Sequence, residues 1–212
     1  MATPSMSMNK LIHHAVRRDL DRLQDAVGAF PDGDKRRAAD LHRGWAFFDA
    51  ELTRHHEGEH RIAWPALEAI GVEQATLTQF DDEHDALAAA LSQARAAMAT
   101  LAASASRADA DAAATAVAQV AQAAQTHLDH EEQVTEPLFA EHHGSPAIKE
   151  MSKKFTRDQS LKTGAEFFAW VQHGASAEEI AALKQSVPGP VLAILPKLFG
   201  RRYYREIAPI WR

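Results

Sequence analysis

Apolar side chains recur along nearly the whole chain at spacings of three and four, and almost nowhere at alternate positions. From about Ser5 to Gly28, residues Leu11, Ile12, Ala15, Val16, Leu20, Leu23 and Val27 fall on one face of a helix. Phe30-Pro31-Asp32-Gly33-Asp34 has the chemistry of a turn, and Asp34 is placed to cap a second helix running to about Ile70, with Ala38, Leu41, Trp45, Phe48 and Leu52 turned inward. Gly71 ends it. A third helix is predicted from about Glu73 to Ser104 and a fourth from about Asp109 to His143, joined by Ser104-Ala105-Ser106-Arg107. The stretch Ala96–Ala124 is rich in alanine, but its regular apolar spacing and high helix propensity favour two closely packed helices over a linker. Short loops between long helices imply antiparallel neighbours, so residues 1–145 are predicted to form an all-α, antiparallel up-down-up-down four-helix bundle. Phe47, Phe48, Trp64, Phe80 and Phe139 are expected in its core.

Gly144-Ser145-Pro146 punctuates the pattern. Beyond it, residues 146–212 read as a helix near Met151–His173, a short one near Ala177–Gln185, a Pro-broken apolar segment from Val187 to Phe199, and a basic-aromatic end from Arg201 to Arg212. Their apolar content is too small for an independent core, and a C-terminal helical extension packed against the bundle is expected. Charge changes the picture here. Residues 1–145 carry 12 Lys/Arg and 23 Asp/Glu, a balance of -11, while residues 146–212 carry 11 and 6, a balance of +5. The opposition predicts that the tail docks on its own acidic bundle and that its basic-aromatic end closes that bundle, contact with a membrane or partner being the alternative.

Composition excludes some chemistry. Cys is absent, so disulfides, thiolate metal sites and cysteine nucleophiles are ruled out. Met1–Ser7 has no apolar signal region and no apolar run reads as long enough to cross a bilayer, so a cytoplasmic protein with no membrane partner is expected, while the acidic body argues against nucleic acid as the main partner and leaves it open only for the basic tail. Twelve His outnumber Phe and Tyr together, which directs attention to imidazole and carboxylate metal chemistry.

The residues that carry such chemistry are arranged in duplicate. His55, Glu59 and Pro65 stand as H-x3-E-x5-P, and His127, Glu131 and Pro137 repeat the pattern 72 residues later. His13 precedes the first copy by 42 residues and His84 the second by 43. The chain thus reads as two helical hairpins of one plan, each with a His on its first helix and His-x3-Glu on its second. Residues four apart share a helix face, so each His–Glu pair can grip one region. At about 1.5 Å rise per residue, His13 lies about 24 Å before the first turn and His55 about 30 Å after it, a matched height. Four imidazoles and two carboxylates in a bundle interior suit two transition-metal ions, iron, zinc or nickel rather than calcium or magnesium. His14 competes with His13, but the repeat register favours His13. His56 and His60 are further candidates, and Asp85 and Asp129 are candidates to orient ligand imidazoles.

These pieces resemble the hemerythrin-like family, also called the HHE cation-binding domain, over residues 5–143. They are Ile12-His13-His14-Ala15-Val16-Arg17-Arg18-Asp19-Leu20, His55-His56-Glu57-Gly58-Glu59-His60 ending in Trp64-Pro65, Glu83-His84-Asp85, and His127-Leu128-Asp129-His130-Glu131-Glu132 ending in Pro137. The resemblance implies two iron ions with an oxo or hydroxo bridge, zinc or manganese being the alternatives, with His13, His55, His84 and His127 as terminal ligands and Glu59 and Glu131 as bridges. Two departures stand out. Oxygen-carrying members have His-x3-His on the third helix, whereas Ala88 stands four after His84. The gap leaves an open coordination position or is filled by another group. Many members also have Glu-Glu where this chain has Glu59-His60, so His60 either substitutes as a ligand or faces solvent.

The function this implies is a non-haem di-iron protein that binds or reacts with oxygen, nitric oxide or hydrogen peroxide. Its enzymatic version is catalase-like peroxide decomposition. An iron-responsive regulatory or interaction module, with a protein partner for the C-terminal extension, is the second reading, and a purely structural bundle the third.

Overall fold

The computed structural model describes residues 6–158 and 160–211, and these are all-helical, with no strand among them. The long helices are α1 (Met8–Gly28), α2 (Lys35–Gly58), α4 (Gln74–Ser104) and α5 (Arg107–His142), with the short α3 (Trp64–Glu68) continuing α2. Their ends follow local chemistry. The Ser7 side chain accepts a hydrogen bond from the Lys10 amide, Asp34 from Arg37, and Ser106 from Asp109, each satisfying an amide that the helix cannot. The predicted start at Ser5 lies outside the described residues.

Packing joins α1 to α2 and α5, α2 to α4, and α4 to α5, a closed ring of four helices. Leu11, Leu20, Leu23, Leu41, Phe48, Leu87, Leu91, Met98, Val117 and Val120 fill its centre. The two hairpin turns touch each other. Gly33 donates to the Ala105 carbonyl at 2.8 Å, and the Arg107 amide donates to Asp32 at 2.7 Å. The Ala-rich stretch forms the facing parts of α4 and α5, where small side chains allow close approach. By length and composition α4 is apolar enough to cross a membrane, contrary to the sequence reading, because its many alanines raise mean hydropathy; it packs here as a bundle helix.

The second helix does not run unbroken to Ile70. After Gly58 it widens into a π turn at Glu59–Ala63 before α3 resumes. The Trp64 amide donates back five residues to the Glu59 carbonyl. Pro65 supplies the reason: it lacks an amide proton and its ring crowds the carbonyl four residues earlier, and a wider turn accommodates both.

The C-terminal region forms α6 (Pro146–Asp158), α7 (Leu161–Gln172), α8 (Ala177–Ser186) and α9 (Gly189–Phe199), then a π turn at Tyr203–Ile207 and a 3-10 turn at Ala208–Trp211. The single helix expected at Met151–His173 is two, because Ser160 caps a new start by accepting from the Thr163 amide. Trp170, Tyr203, Ile207 and Ile210 join the bundle's own core, and α6 packs on α3 and the first π turn. Charge pairing across this boundary runs opposite to expectation. Among the described residues the cross pairs are His14 and Arg18 with Glu179, and Arg61 with Asp158, so bundle cations meet tail anions. Arg37 and Arg43 likewise donate to tail carbonyls, of Ile210 and Glu206.

One buried polar group fastens the two regions. Asp19 on α1 is fully buried and accepts from the Trp170 indole N–H at 2.8 Å and from Arg22 at 2.8 Å. Burial pushes its carboxyl pKa up, and Arg22 opposes the shift. Asp19→Ala leaves the indole N–H without an acceptor and Arg22 with only the His173 carbonyl, and is expected to lower unfolding free energy by about 2–4 kcal/mol, measured by urea denaturation.

Candidate metal centre

Four helices deliver the site. His13 comes from the first half of α1, His55 and His56 from the last turn of α2, Glu59 from the start of the π turn, His84 from α4, and His127 and Glu131 from α5. His13 and His127 are fully buried, Glu59 and Glu131 nearly so. Their ligand atoms form two groups. One is His13, His55, Glu59 and Glu131; the other is His56, Glu59, His84 and His127, with the atoms of each group within 4.8 Å of one another. Glu59 belongs to both. The six residues singled out by the repeat therefore converge on one interior region.

Several of the carboxylate oxygens lie close to imidazole nitrogens without a well-formed hydrogen bond. Glu59 Oε1 lies 2.9 Å from His55 Nε2 and Oε2 lies 3.4 Å from His84 Nε2, yet both oxygens lack a hydrogen-bond partner. Glu131 Oε2 and His56 Nε2 are orphaned in the same way, although Glu131 Oε2 sits 3.1 Å from His13 Nε2 and 3.9 Å from His127 Nε2. The Nε2 atoms of His13 and His55 face each other at 3.2 Å, and those of His84 and His127 at 3.0 Å. Buried polar atoms are almost always satisfied, so the unpartnered atoms of Glu59, Glu131 and His56 fit a shared cation. Imidazole nitrogen and carboxylate oxygen form a donor set that suits a transition metal.

A family model for the hemerythrin HHE cation-binding domain matches residues 8–139, which hold every one of these ligand atoms. The chain belongs to this family. No curated protein and no solved structure matches the chain.

Electrostatics within the HHE domain separate the imidazoles. Burial alone would lower the pKa of His13, but hydrogen bonds to Glu131 and Glu132 and the charge of Glu131 outweigh it and raise it to about 9. Burial pushes His56 well below the ordinary imidazole value and lowers His127, so both offer neutral nitrogens. Burial would raise Glu59, but the neighbouring imidazoles, His55 first, hold its carboxyl well below the usual range.

A second tier of groups holds the ligands. Glu132 accepts from His13 Nδ1 at 3.0 Å and is itself gripped by Arg17 at 2.6 Å. Glu83 accepts from His127 Nδ1 at 3.0 Å and from His130 at 2.7 Å. Asn9 donates to Glu131 Oε1 at 3.1 Å. Such partners fix the imidazole tautomer and leave Nε2 free to bind a cation. Trp64 stacks on His84 with centroids 5.6 Å apart, Phe80 stands edge-on to His127, and together they wall one side of the centre.

The weaker candidates divide. His56 joins the centre and stacks on His84 with centroids 4.1 Å apart. His14 points away to Glu179 at 2.9 Å, and exposed His60 pairs with Asp81 at 3.1 Å; neither belongs to either group. Asp129 binds Arg17 rather than an imidazole, and Asp85 is exposed. Glu83, Glu132 and Asn9 fill the orienting roles instead. For Glu83 the signal available in the sequence was its place beside His84.

Proposed function

We propose that residues 8–139 form an antiparallel up-down-up-down bundle holding two iron ions, and that this centre binds or reacts with oxygen, nitric oxide or hydrogen peroxide. The contact between the two hairpin turns at one end supports the antiparallel arrangement, with residues 146–212 as its helical extension. The observation that carries the iron pair is Glu59, a buried carboxylate common to two imidazole-rich groups. His13, His55 and Glu131 would hold one ion, and His56, His84 and His127 the other, with Glu59 reaching both. A redox-active iron pair supplies reversible electron exchange with small ligands. The chain's contribution is to orient the imidazoles through Glu132 and Glu83 and to keep the site dry behind Trp64 and Phe80.

Iron-loaded, reduced protein exposed to oxygen or nitric oxide is expected to show a reversible change in its visible spectrum. With hydrogen peroxide, oxygen evolution above that of free iron identifies the catalase-like version. No spectral response to any of the three ligands would overturn the reading, and elemental analysis separates iron from zinc and manganese.

A regulatory reading draws on a different contact. His14, adjacent to His13 on α1, is hydrogen-bonded to Glu179 of α8, so the helix bearing a candidate ligand also grips the extension. This reading expects iron to alter amide hydrogen exchange over residues 161–186.

A further inference from the structure

Among the described residues, the exposed large apolar side chains are Leu161, Ile194, Leu198, Phe199 and Tyr204, and none lies on the four long helices. Leu192 and Pro196 are buried and seat α9 on α7. The two helices run antiparallel. Gln172, at the end of α7, donates to the Leu192 carbonyl near the start of α9, while Gly200, just past α9, sits so close to α7 that a Cβ there would lie 2.8 Å from the Ala165 carbonyl. Leu161 therefore opens α7 beside the end of α9 that exposes Leu198 and Phe199. Ile194, Lys197, Leu198 and Arg201 follow one another at helical spacing on a single outward face.

Charge along α9 and the arginines that follow it has one sign. From Ile180 to Arg205 there is no Asp or Glu, while Lys184, Lys197, Arg201, Arg202 and Arg205 all occur. Arg202 and Arg205 are paired with Glu166 or Glu206, but Lys184, Lys197 and Arg201 form no ion pair among the described residues. The tail cations that were expected to meet the acidic bundle are thus turned outward beside exposed aliphatic and aromatic groups.

We propose that the outward face of α9, extended by Leu161 and Tyr204, docks the protein on an anionic bilayer. Ile194, Leu198 and Phe199 enter the boundary between headgroups and acyl chains, and Lys197 and Arg201 meet lipid phosphates. The sequence reading of no membrane contact assumed that the whole tail folds onto the bundle. Tyr203, Ile207 and Ile210 do so, but the α9 face does not. A second copy of the chain fits this face poorly. A two-fold pairing would set Lys197 and Arg201 against their own counterparts, and the long helices of another copy present no exposed large apolar side chain among the described residues. An anionic bilayer satisfies both the apolar groups and the cations.

The test is flotation of the full chain with phosphatidylcholine vesicles, with and without phosphatidylglycerol. The protein is expected to float with the anionic vesicles only, and less so as salt rises. Lys197→Glu with Arg201→Glu, and separately Leu198→Ser with Phe199→Ser, are each expected to weaken binding by about tenfold or more. All four positions are exposed, so helix content and iron content should stay unchanged in both variants. Absence of flotation at low salt, equal binding to neutral vesicles, or binding untouched by both variants overturns the proposal. Self-association of the parent chain that these substitutions abolish, without any vesicle binding, would assign the face to a second copy and overturn it as well.

Discussion

Glu59→Ala is expected to strip iron from both halves of the centre at once. Its carboxylate is shared by the two ligand groups, so its loss removes an anionic donor from each. Replacing a residue that only orients a ligand costs about 10–100-fold in metal affinity, and loss of this shared ligand should exceed about 100-fold. His56→Ala should weaken only the position shared with His84 and His127. Glu83→Ala should weaken that same position within the smaller range, by releasing His127. Iron per chain, measured after passage over a chelating resin, separates these outcomes. Equal, partial loss in Glu59→Ala and His56→Ala would show that Glu59 serves one position only. Helix content should survive Glu59→Ala, because neither side-chain oxygen has a well-formed hydrogen bond that holds a helix in place.

The second large effect concerns pH, and it has opposite signs with and without metal. Folded, metal-free protein keeps a proton on His13 up to about pH 9, against an ordinary value of 6.5. Between those values the folded state binds more protons than the unfolded one. The stabilisation from His13 is therefore fully present below pH 6.5 and is lost as pH rises to about 9, a decline of about 3 kcal/mol. If iron binds as proposed, it takes the free Nε2 of the same ring, so its apparent affinity is expected to climb as pH rises, by up to about tenfold per unit below pH 9. Chemical denaturation of metal-free protein across pH 6 to 9.5, with iron titrations alongside, checks both slopes. His13→Ala should flatten both. Glu132, held down to about 2 by burial-opposing hydrogen bonds from His13 and Arg17, acts at the other end of the scale. Its support is present above pH 4.5 and is lost as pH falls toward 2.

Helix existence was legible in the sequence because the long helices carry apolar stripes, and three of the four also carry a capping side chain. Ser7 and Asp34 do in the structure what their residue types favour. The π turn after Gly58 was hidden because Pro65, its cause, reads equally as a helix end or a kink. The new helix start capped by Ser160 was hidden because it falls in a polar run with neither Gly nor Pro. At the centre, periodicity located His13, His55, Glu59, His84, His127 and Glu131, since a repeated spacing fixes which residues share a face. Two features needed three dimensions. Adjacent residues on an ideal helix diverge by about 100°, so spacing alone does not show how His55 and His56 both reach one site. The structure admits both because the first meets α1 and the second meets α4, one on each side of Glu59. The orienting carboxylates depended on which neighbouring helix each imidazole faces, so Glu83 and Glu132 could not be told from Asp85 and Asp129 by position along the chain.

Iron-edge anomalous diffraction from crystals of the iron-loaded protein tests the central claim most directly. Two peaks are expected, about 3.5–4 Å apart as in other two-metal sites. One should lie within bonding distance of His13, His55 and Glu131, the other within bonding distance of His56, His84 and His127, and both should touch Glu59. A single peak, or iron found only away from Glu59, would contradict a shared two-ion centre.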